Sequence, residues 1–226
     1  MHFSRMRNNI NLCANNYIMN TQKYTCLFFL LPVLYSCSQK TSKHEIDPAA
    51  IEFNDSAMTL MQFINNNDSC EKAILLLDNA TAIDNDYATG YYNKITFLIK
   101  LDKYDKAIIA INHIVRIKPN AHDIYLIGGI FYEKIKDTLS AEKYFTRSLS
   151  ICNNVLDTMS VKNQDYLLIA CNNAINLLML GDQEKANKVL KDLYENNPEL
   201  DNIAKEHILS LMDKTKSQLL KEYFNR

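Results

Sequence analysis

Small apolar residues recur along this chain at a fixed interval. Ala73, Ala107 and Ala141 each lie 34 residues from the next. Two further columns follow the same interval, one apolar and one at turns: Leu77, Ile111 and Phe145, then Asn85, Pro119 and Asn153. A period of this length is typical of stacked copies of one supersecondary unit, not of a single irregular core. The pattern therefore predicts a repeat protein.

The scarcity of turn-forming residues predicts helices throughout. The chain has 226 residues, of which 47% are hydrophobic, and it contains only four glycines and four prolines. Strand-rich sandwiches and barrels need such residues at their corners, so an all-α chain with short turns is favoured. Asp47 and Pro48 predict the start of the first helix, which should run to about Asn66. Acidic caps predict where the second helix of each pair begins: Asp68 with Glu71, Asp102 with Asp105, Asp137, and Asp182.

Counted in units that begin at Asn54, the columns resemble the tetratricopeptide repeat, a helix-turn-helix of the same length with large and small residues at set places. The second and third units match through Tyr91, Leu98, Ala107, Ile111 and Pro119, and through Tyr125, Gly129, Tyr132, Ala141 and Phe145. Gly129 is the small residue that should let two helices approach closely. The interval from Ala141 to Ala186 is 45 residues, eleven more than the period, so a fourth unit fits after an insertion.

The resemblance implies an all-α, right-handed superhelix, or α-solenoid, of about four tetratricopeptide helix pairs with a C-terminal capping helix. The predicted segments are 1–36 (signal region, with 1–18 an over-called start), 37–46 (lipid anchor and tether), 47–87, 88–121 and 122–155 (first three repeats), 156–166 (insertion), 167–200 (fourth repeat) and 201–226 (capping helix).

The segment 201–226 carries a broad apolar stripe along a predicted helix. A stack of repeats exposes an apolar face at its end, and a last amphipathic helix closes that face. The alternative is that this helix docks onto a partner or onto a second copy of the chain to form a homo-oligomer, since it holds more apolar residues than a minimal cap needs.

The first residues have the order of a bacterial secretion signal. Lys23 precedes the apolar stretch 26–34, which is about half of the roughly 20 residues that a transmembrane helix needs. Residues 34–37 read Leu-Tyr-Ser-Cys and resemble the bacterial lipobox, in which the cysteine is acylated and becomes the new N-terminus. The resemblance implies lipidation of Cys37 and attachment to the outer membrane, with the folded part facing the periplasm. An ordinary signal peptide with an incidental cysteine is the alternative.

Charge and motifs exclude several function classes. The formal net charge is −1, which argues against a nucleic-acid partner. The sequence has no metal-ligand spacing, no phosphate-binding glycine loop and no catalytic motif, so neither enzyme activity nor a metal or other cofactor is expected. Cys152 and Cys171 flank the insertion and either form a disulfide or, like Cys70, are small buried residues.

In the tetratricopeptide family the first helices of successive units line a concave groove. Carried over place by place, the partner-binding residues are Tyr92, Asn93, Thr96, Leu126, Ile127, Ile130, Asn172 and Ile175, with Glu133 a further groove position in the third unit. The carboxylate clamp of chaperone-binding members is not expected, because only Asn93 matches it. A mostly apolar groove suits an extended or helical segment of another protein. Any one of these residues could instead pack against neighbouring helices.

These features predict a membrane-anchored scaffold, not an enzyme, that holds a protein or peptide segment in the bacterial cell envelope. The alternative is a lipoprotein that captures a small ligand, a glycan or a peptide, for an outer-membrane uptake complex. Sugars stack on aromatic faces, and tyrosines cluster in and beside the first helices: Tyr87, Tyr91, Tyr92, Tyr125 and Tyr132.

Overall fold

The computed structural model describes residues 44–161, 163, 165–198 and 200–224, which belong to one compact unit, His44–Arg226. The predicted signal region and the predicted lipidation of Cys37 lie outside the described residues. Within the described part every regular element is a helix, which confirms the all-α fold class. None of these helices is both long enough and apolar enough to cross a lipid bilayer.

The described residues form four helix pairs and two further helices. The pairs are α1 (Pro48–Met58) with α2 (Asn67–Ile83), α3 (Ala88–Lys100) with α4 (Tyr104–Ile117), α5 (His122–Lys134) with α6 (Thr138–Leu156), and α7 (Tyr166–Met179) with α8 (Gln183–Asn196). The last two helices are α9 (Asn202–Leu211) and α10 (Lys216–Phe224). A 3-10 helix, Thr59–Phe63, continues α1, so the first helical segment ends close to the predicted Asn66.

The pairs stack into a solenoid. Consecutive helices pack against each other from α1 to α9, and first helices of neighbouring pairs also touch, α1 with α3 and α5 with α7. One apolar core runs through the stack, from Ala57 in α1 to Leu219 in α10. This is the architecture that the 34-residue period predicted.

The residues at the predicted core columns are fully buried. They are the small residues Ala73, Ala107, Ala141 and Ala186, and the larger residues Leu77, Ile111, Phe145 and Leu190. A Cβ atom at Gly129 would collide with the Phe145 ring, so glycine is required where the sequence predicted a close helix approach. The burial of Ala186 and Leu190 shows that the fourth unit keeps the pattern after its displacement.

Three predicted helix starts are confirmed. Asp47 with Pro48 opens α1, Asp137 caps α6 and Asp182 caps α8. In each case a carboxylate oxygen accepts a hydrogen bond from a backbone amide two or three residues further on, at 2.8–3.2 Å. Each bond satisfies an amide that the helix itself leaves unpaired.

Two predicted caps are wrong. α2 is capped by Asn66, whose side chain accepts a backbone amide at 2.9 Å, and Asp68 lies inside the first turn. Asp102 has a left-handed φ of 55° and accepts a hydrogen bond from the Tyr104 hydroxyl, which leaves Lys103 at the cap position of α4. Neighbouring polar side chains compete for the same role, and the turn geometry selects among them.

The second helix of the third pair, α6, is longer than the second helix of every other pair. α6 has 19 residues, whereas α4 and α8 have 14 each. α6 ends at Leu156 and α7 begins at Tyr166, so the interval between them falls within the predicted insertion, 156–166. The extra residues therefore extend the second helix of this pair and lengthen the connection that follows it.

Hydrogen bonds to the Asp84 carboxylate hold the first described residues against the fold. His44 Nε2 lies 2.9 Å from both carboxylate oxygens of this buried residue. The backbone amides of Asp47 and Asp86 donate to the same carboxylate at 3.1 and 3.0 Å. Burial alone would raise the pKa of Asp84, but these hydrogen bonds outweigh it and hold the pKa below its usual range. The end of the predicted tether is thus attached to the turn between α2 and α3.

The prediction of one capping helix over 201–226 is wrong, because this segment forms α9 and α10 with a break at residues 212–215. Asp213 in the break has a φ of 60°, a left-handed conformation that does not continue a helix. α9 acts as the cap, since it packs on α8 and buries Ile208 and Leu211. α10 instead contacts α4 and α5.

Candidate partner-binding groove

The residues predicted to bind a partner lie on α3, α5 and α7. Four of them are half-buried and keep part of their surface accessible: Tyr92, Asn93, Thr96 and Ile127. The other four are buried, with exposed fractions of 4% for Leu126, 2% for Ile130, 8% for Asn172 and 6% for Ile175. The predicted site thus divides into an accessible part mainly on α3 and a buried part shared equally by α5 and α7.

The residues of the buried part contribute to packing inside the protein and do not form the open surface that the sequence predicted. Leu126, Ile130 and Ile175 belong to the same apolar core as the alanine column. A side chain with so little accessible surface offers a partner almost no contact area. Groove and core positions share one apolar stripe along each first helix, and core packing occupies these three.

The accessible residues on α3 are held by specific contacts. The Asn93 carboxamide donates a hydrogen bond to the Asn54 side chain at 2.7 Å and so links α3 to α1. The Lys118 ammonium lies 5.4 Å from the centre of the Tyr92 ring, within cation–π range. Thr96 follows Tyr92 by four residues and shares its helix face. These contacts restrict the side chains before any partner binds.

Asn172 belongs to a buried polar cluster that joins α5, α6 and α7. Its carboxamide nitrogen lies 3.4 Å from His122 Nδ1. The Ser148 hydroxyl donates to the His122 carbonyl oxygen at 2.7 Å and accepts a hydrogen bond from the Asn176 amide at 2.8 Å. Burial lowers the pKa of His122, against the opposing charge of Asp123, so the ring is neutral at neutral pH. Asn172 therefore serves helix stacking.

One end of the groove is occupied by the chain itself. Lys216 of α10 forms an ion pair with Glu133 of α5 at 2.5 Å. The Phe224 ring packs edge-on against Tyr104, with ring centres 5.6 Å apart, and the Lys134 ammonium lies 4.6 Å from the Phe224 ring centre. No local pattern in the sequence joins Lys216 to Glu133, which is 83 residues away. The carboxylate of Glu133 does not identify the contact in the sequence, because Asp123 is also an acidic groove position.

The tyrosines that suggested a sugar-binding surface make contacts inside the fold. Tyr87 and Tyr91 are buried. The rings of Tyr125 and Tyr132 pack on Tyr144, with ring centres 5.3 and 5.0 Å apart. Burial raises the pKa of the Tyr144 hydroxyl, and the two neighbouring tyrosines add to this effect. These contacts use ring surface that stacking on a sugar would need.

No family model and no curated protein matches this sequence, but solved structures match its fold. The TPR-like repeats of a kinesin light chain from Podospora anserina match with a TM-score of 0.55 at 10% identity, covering 79% of this chain and 91% of that one. PilW, a type IV pilus biogenesis factor, matches with a TM-score of 0.51 at 17% identity, covering 79% of this chain and 76% of PilW. A MamA RS-1 double mutant matches with a TM-score of 0.50 at 15% identity, covering 80% of this chain and 93% of MamA.

The chain has a tetratricopeptide-like repeat fold. At identities of 10–17% these likenesses show the architecture alone. What this TPR-like protein binds must therefore be inferred from its own groove residues.

The cysteines that the structure describes in this TPR-like protein are packing residues. They are Cys70, Cys152 and Cys171, and all three are free and buried. Of the two predicted alternatives, the structure therefore has small buried residues and not a disulfide between Cys152 and Cys171. Burial raises the pKa of both Cys152 and Cys171 to about 12, so neither thiol is a reactive thiolate at neutral pH. Among the described residues no group of three or more His, Cys, Asp or Glu is placed to hold a metal ion.

Proposed function

We propose that this TPR-like protein is a non-enzymatic scaffold that binds a segment of another protein along α3 and α5. The observation that carries the proposal is the accessible row, defined as Tyr92, Asn93, Thr96 and Ile127, on the first helices of two neighbouring pairs. Behind this row the core is closely packed. A partner would meet a preorganised platform, and little binding free energy would be spent on reordering it.

The chemistry of the accessible row suits an extended or helical peptide. Tyr92 offers a large ring with few rotatable bonds, and Ile127 offers an apolar anchor. Asn93 gives one amide hydrogen to Asn54, and its second amide hydrogen can serve a partner backbone. Thr96 adds a hydroxyl that can donate or accept. Because the row carries no formal charge, it is not suited to clamping a terminal carboxylate.

Lipidation of Cys37 would place this scaffold on the outer membrane, facing the periplasm. The support is the lipobox-like sequence at 34–37 and the polar stretch that follows it. Each buried methylene of an acyl chain contributes about 0.8 kcal/mol, and several chains on one cysteine make attachment nearly permanent. The tether would then let the folded part hold its partner at the membrane surface within the cell envelope.

Photo-crosslinking tests the binding proposal. A benzophenone amino acid in place of Thr96 should trap one defined protein in cells, and the product should disappear when Tyr92→Ala is added. Thr146 is exposed on α6, away from the accessible row, and a probe there is the matched control. Equal products from the two positions, or a Thr96 product that survives Tyr92→Ala, would contradict binding at this row.

A Cys37→Ala variant tests the anchor separately. The unchanged chain should incorporate labelled fatty acid and fractionate with outer membranes, and Cys37→Ala should do neither. Cys26→Ala, in the apolar stretch, is the control and should behave as the unchanged chain. If Cys37→Ala keeps both properties, the anchor is elsewhere, and the crosslinking result is unaffected.

A further inference from the structure

α10 is placed where a cap for the stack would not lie. The end of the stack is the α7–α8 pair, and α9 already covers α8 and buries Ile208 and Leu211. α10 instead contacts α5 through Glu133 and Lys134, and α4 through Tyr104. These residues belong to the second and third pairs. The contacts of α10 therefore bring the C-terminus back to the middle of the solenoid.

A small set of anchors holds α10 in place. They are the Lys216–Glu133 ion pair, the Phe224 ring between Tyr104 and Lys134, and Leu219, which is 3% exposed. The Glu133 side chain is only 10% exposed, so this carboxylate is largely removed from water and paired. The three anchors lie at the first, fourth and ninth residues of the helix, a spacing that another helix could reproduce.

The helix depends on these anchors for its order. α10 has nine residues, and a helix of this length is not stable alone in water. It joins α9 through residues 212–215, where the left-handed Asp213 ends helical continuity. Asp213 is bound to Asn187 of α8, whose carboxamide donates to the Asp213 carboxylate at 2.9 Å and accepts from the Asp213 backbone amide at 3.2 Å. Rotation at residues 214–215, after this contact, would release α10 without disturbing the α8–α9 contact. Local opening of such an element needs less free energy than global unfolding.

We propose that α10 is a displaceable lid on the groove, and that the partner segment which displaces it is an amphipathic helix carrying the same anchors. Such a segment has a basic residue for Glu133, a leucine three residues later, and an aromatic ring eight residues after the basic one for the Tyr104–Lys134 site. This rests on the proposed function, because it identifies the kind of partner that the groove receives. In the absence of the partner, the lid covers Glu133, the groove position near the C-terminal end of α5.

The connection between α9 and α10, residues 212–215, determines how strongly the lid competes with a free partner segment. A short connection gives an effective concentration in the millimolar range, which a free segment must overcome. If about nine molecules in ten are closed, a free copy of the helix binds the protein about tenfold more weakly than it binds a chain whose lid is open. A variant that weakens the lid and leaves the groove unchanged should therefore bind the free helix about tenfold more tightly than the unchanged chain does.

The test uses a labelled peptide with the sequence of residues 214–224, titrated into the full chain by fluorescence anisotropy. Phe224→Ala in the protein removes a lid anchor and should tighten peptide binding about tenfold relative to the unchanged chain. Lys221→Ala is the matched control, since Lys221 is exposed on the same helix, and it should leave peptide affinity unchanged. Adding Glu133→Gln to Phe224→Ala should weaken the peptide again, because its basic residue loses the carboxylate.

Amide hydrogen exchange of the unchanged chain gives a second measurement. The α10 amides should exchange at least about tenfold faster than those of α7, through opening of the lid alone. Exchange of α10 only with global unfolding, together with no gain in peptide affinity in Phe224→Ala, would overturn the lid and make α10 a fixed part of the core. The Thr96 crosslink would then still decide the proposed function. Tenfold tightening without any Tyr92-dependent crosslink would support the lid and contradict the accessible row.

Discussion

Side-chain volume at the helix contacts determines how closely the helices of each pair approach. The alanine column is fully buried, and Gly129 leaves the space that the Phe145 ring fills. Protein interiors are packed as densely as organic crystals, so even one added methylene group is felt. Each small residue of the repeat therefore marks a helix contact where a larger side chain does not fit.

An Ala107→Leu variant should have its free energy of unfolding lowered by about 1–3 kcal/mol, because the larger side chain overpacks a closed contact. Urea denaturation measures the change. Ala82→Leu is the matched control, since Ala82 is exposed on α2, and it should change stability by less than about 0.5 kcal/mol. Equal effects at the two positions would show that Ala107 does not lie at a tight contact.

The Asp84 cluster predicts a pH dependence. A carboxyl whose pKa is held below its unfolded value contributes stability above that unfolded pKa of about 3.9, and the contribution is lost as the pH falls through the folded pKa. Asp84→Asn should therefore lower the melting temperature at about pH 7 and have a smaller effect at about pH 3.

Melting curves of both proteins at the two pH values measure this difference. Asp86→Asn is the control, since the Asp86 carboxylate is half exposed and pairs with Arg116 at the surface, and it should have little effect at either pH. The same loss for Asp84→Asn at both pH values would mean that the charge of Asp84 is not what stabilises the turn.

At the scale of helices, polar and apolar contacts have different roles in the stack. The α6–α7 contact contains buried polar side chains on both helices: Ser148, Asn172, Asn173 and Asn176. The Asn173 amide also donates to Asn153 of α6 at 2.6 Å. Hydrogen bonds between two helices require one register, whereas apolar surfaces tolerate small displacements. These bonds therefore specify how the fourth pair stacks after the insertion.

The Ser148 hydroxyl connects this cluster, so Ser148→Ala should destabilise the protein by about 1–3 kcal/mol. The variant would remove the hydroxyl donor to the His122 carbonyl oxygen and one of the two acceptors of the Asn176 carboxamide, which keeps its hydrogen bond to the Asn172 carbonyl oxygen. Ser150→Ala, at an exposed position two residues further along α6, is the matched control and should be nearly neutral. Urea denaturation of the two variants compares them, and a neutral Ser148→Ala would show that the cluster does not stabilise the stack.

Across the whole molecule, stability is distributed along the solenoid. Each inner pair packs against a neighbour on both sides, whereas the first pair has a neighbour on one side. The C-terminal part gains further contacts, because α9 covers α8 and α10 returns to α4 and α5. The N-terminal pair should accordingly be the first to open.

Three buried thiols in different pairs can report this order: Cys70 in the first, Cys152 in the third and Cys171 in the fourth. With increasing urea, Cys70 should become alkylated at a lower concentration than Cys152 and Cys171. Pulse alkylation followed by peptide mass spectrometry measures the midpoint for each cysteine. One shared midpoint would indicate that the four pairs unfold as a single cooperative unit.

The repeat pattern predicted the helix pairs because it depends on residues that are close in sequence. Asp137 and Asp182 were recognised as caps for the same reason, since a cap bonds an amide within three residues. Where two polar residues competed, as Asn66 and Asp68 did, sequence reasoning chose the wrong one. The break at Asp213 was also missed: residues 213–218 are all polar, but they contain no glycine or proline that would mark a left-handed residue or a helix end.

The groove was predicted less completely than the fold. Its position on α3, α5 and α7 follows from the period. Tyr92 and Ile130 both occupy groove places, but Tyr92 is half-buried and keeps accessible surface, whereas Ile130 is buried. The binding role of the accessible row and the lipidation of Cys37 stay predictions. Lys216, Phe224 and their partners on α4 and α5 could not be assigned, because nothing near them in the sequence encodes a contact between such distant segments.

Local interactions thus suffice to specify a stack of helix pairs, since periodic volume and helix caps act within a few residues or one repeat. Which groove residues stay accessible, and that the C-terminal helix returns to α5, follow from three-dimensional packing. The physical reason is that burial and ion pairing depend on whatever surface arrives opposite a residue, and here that surface comes from far along the chain.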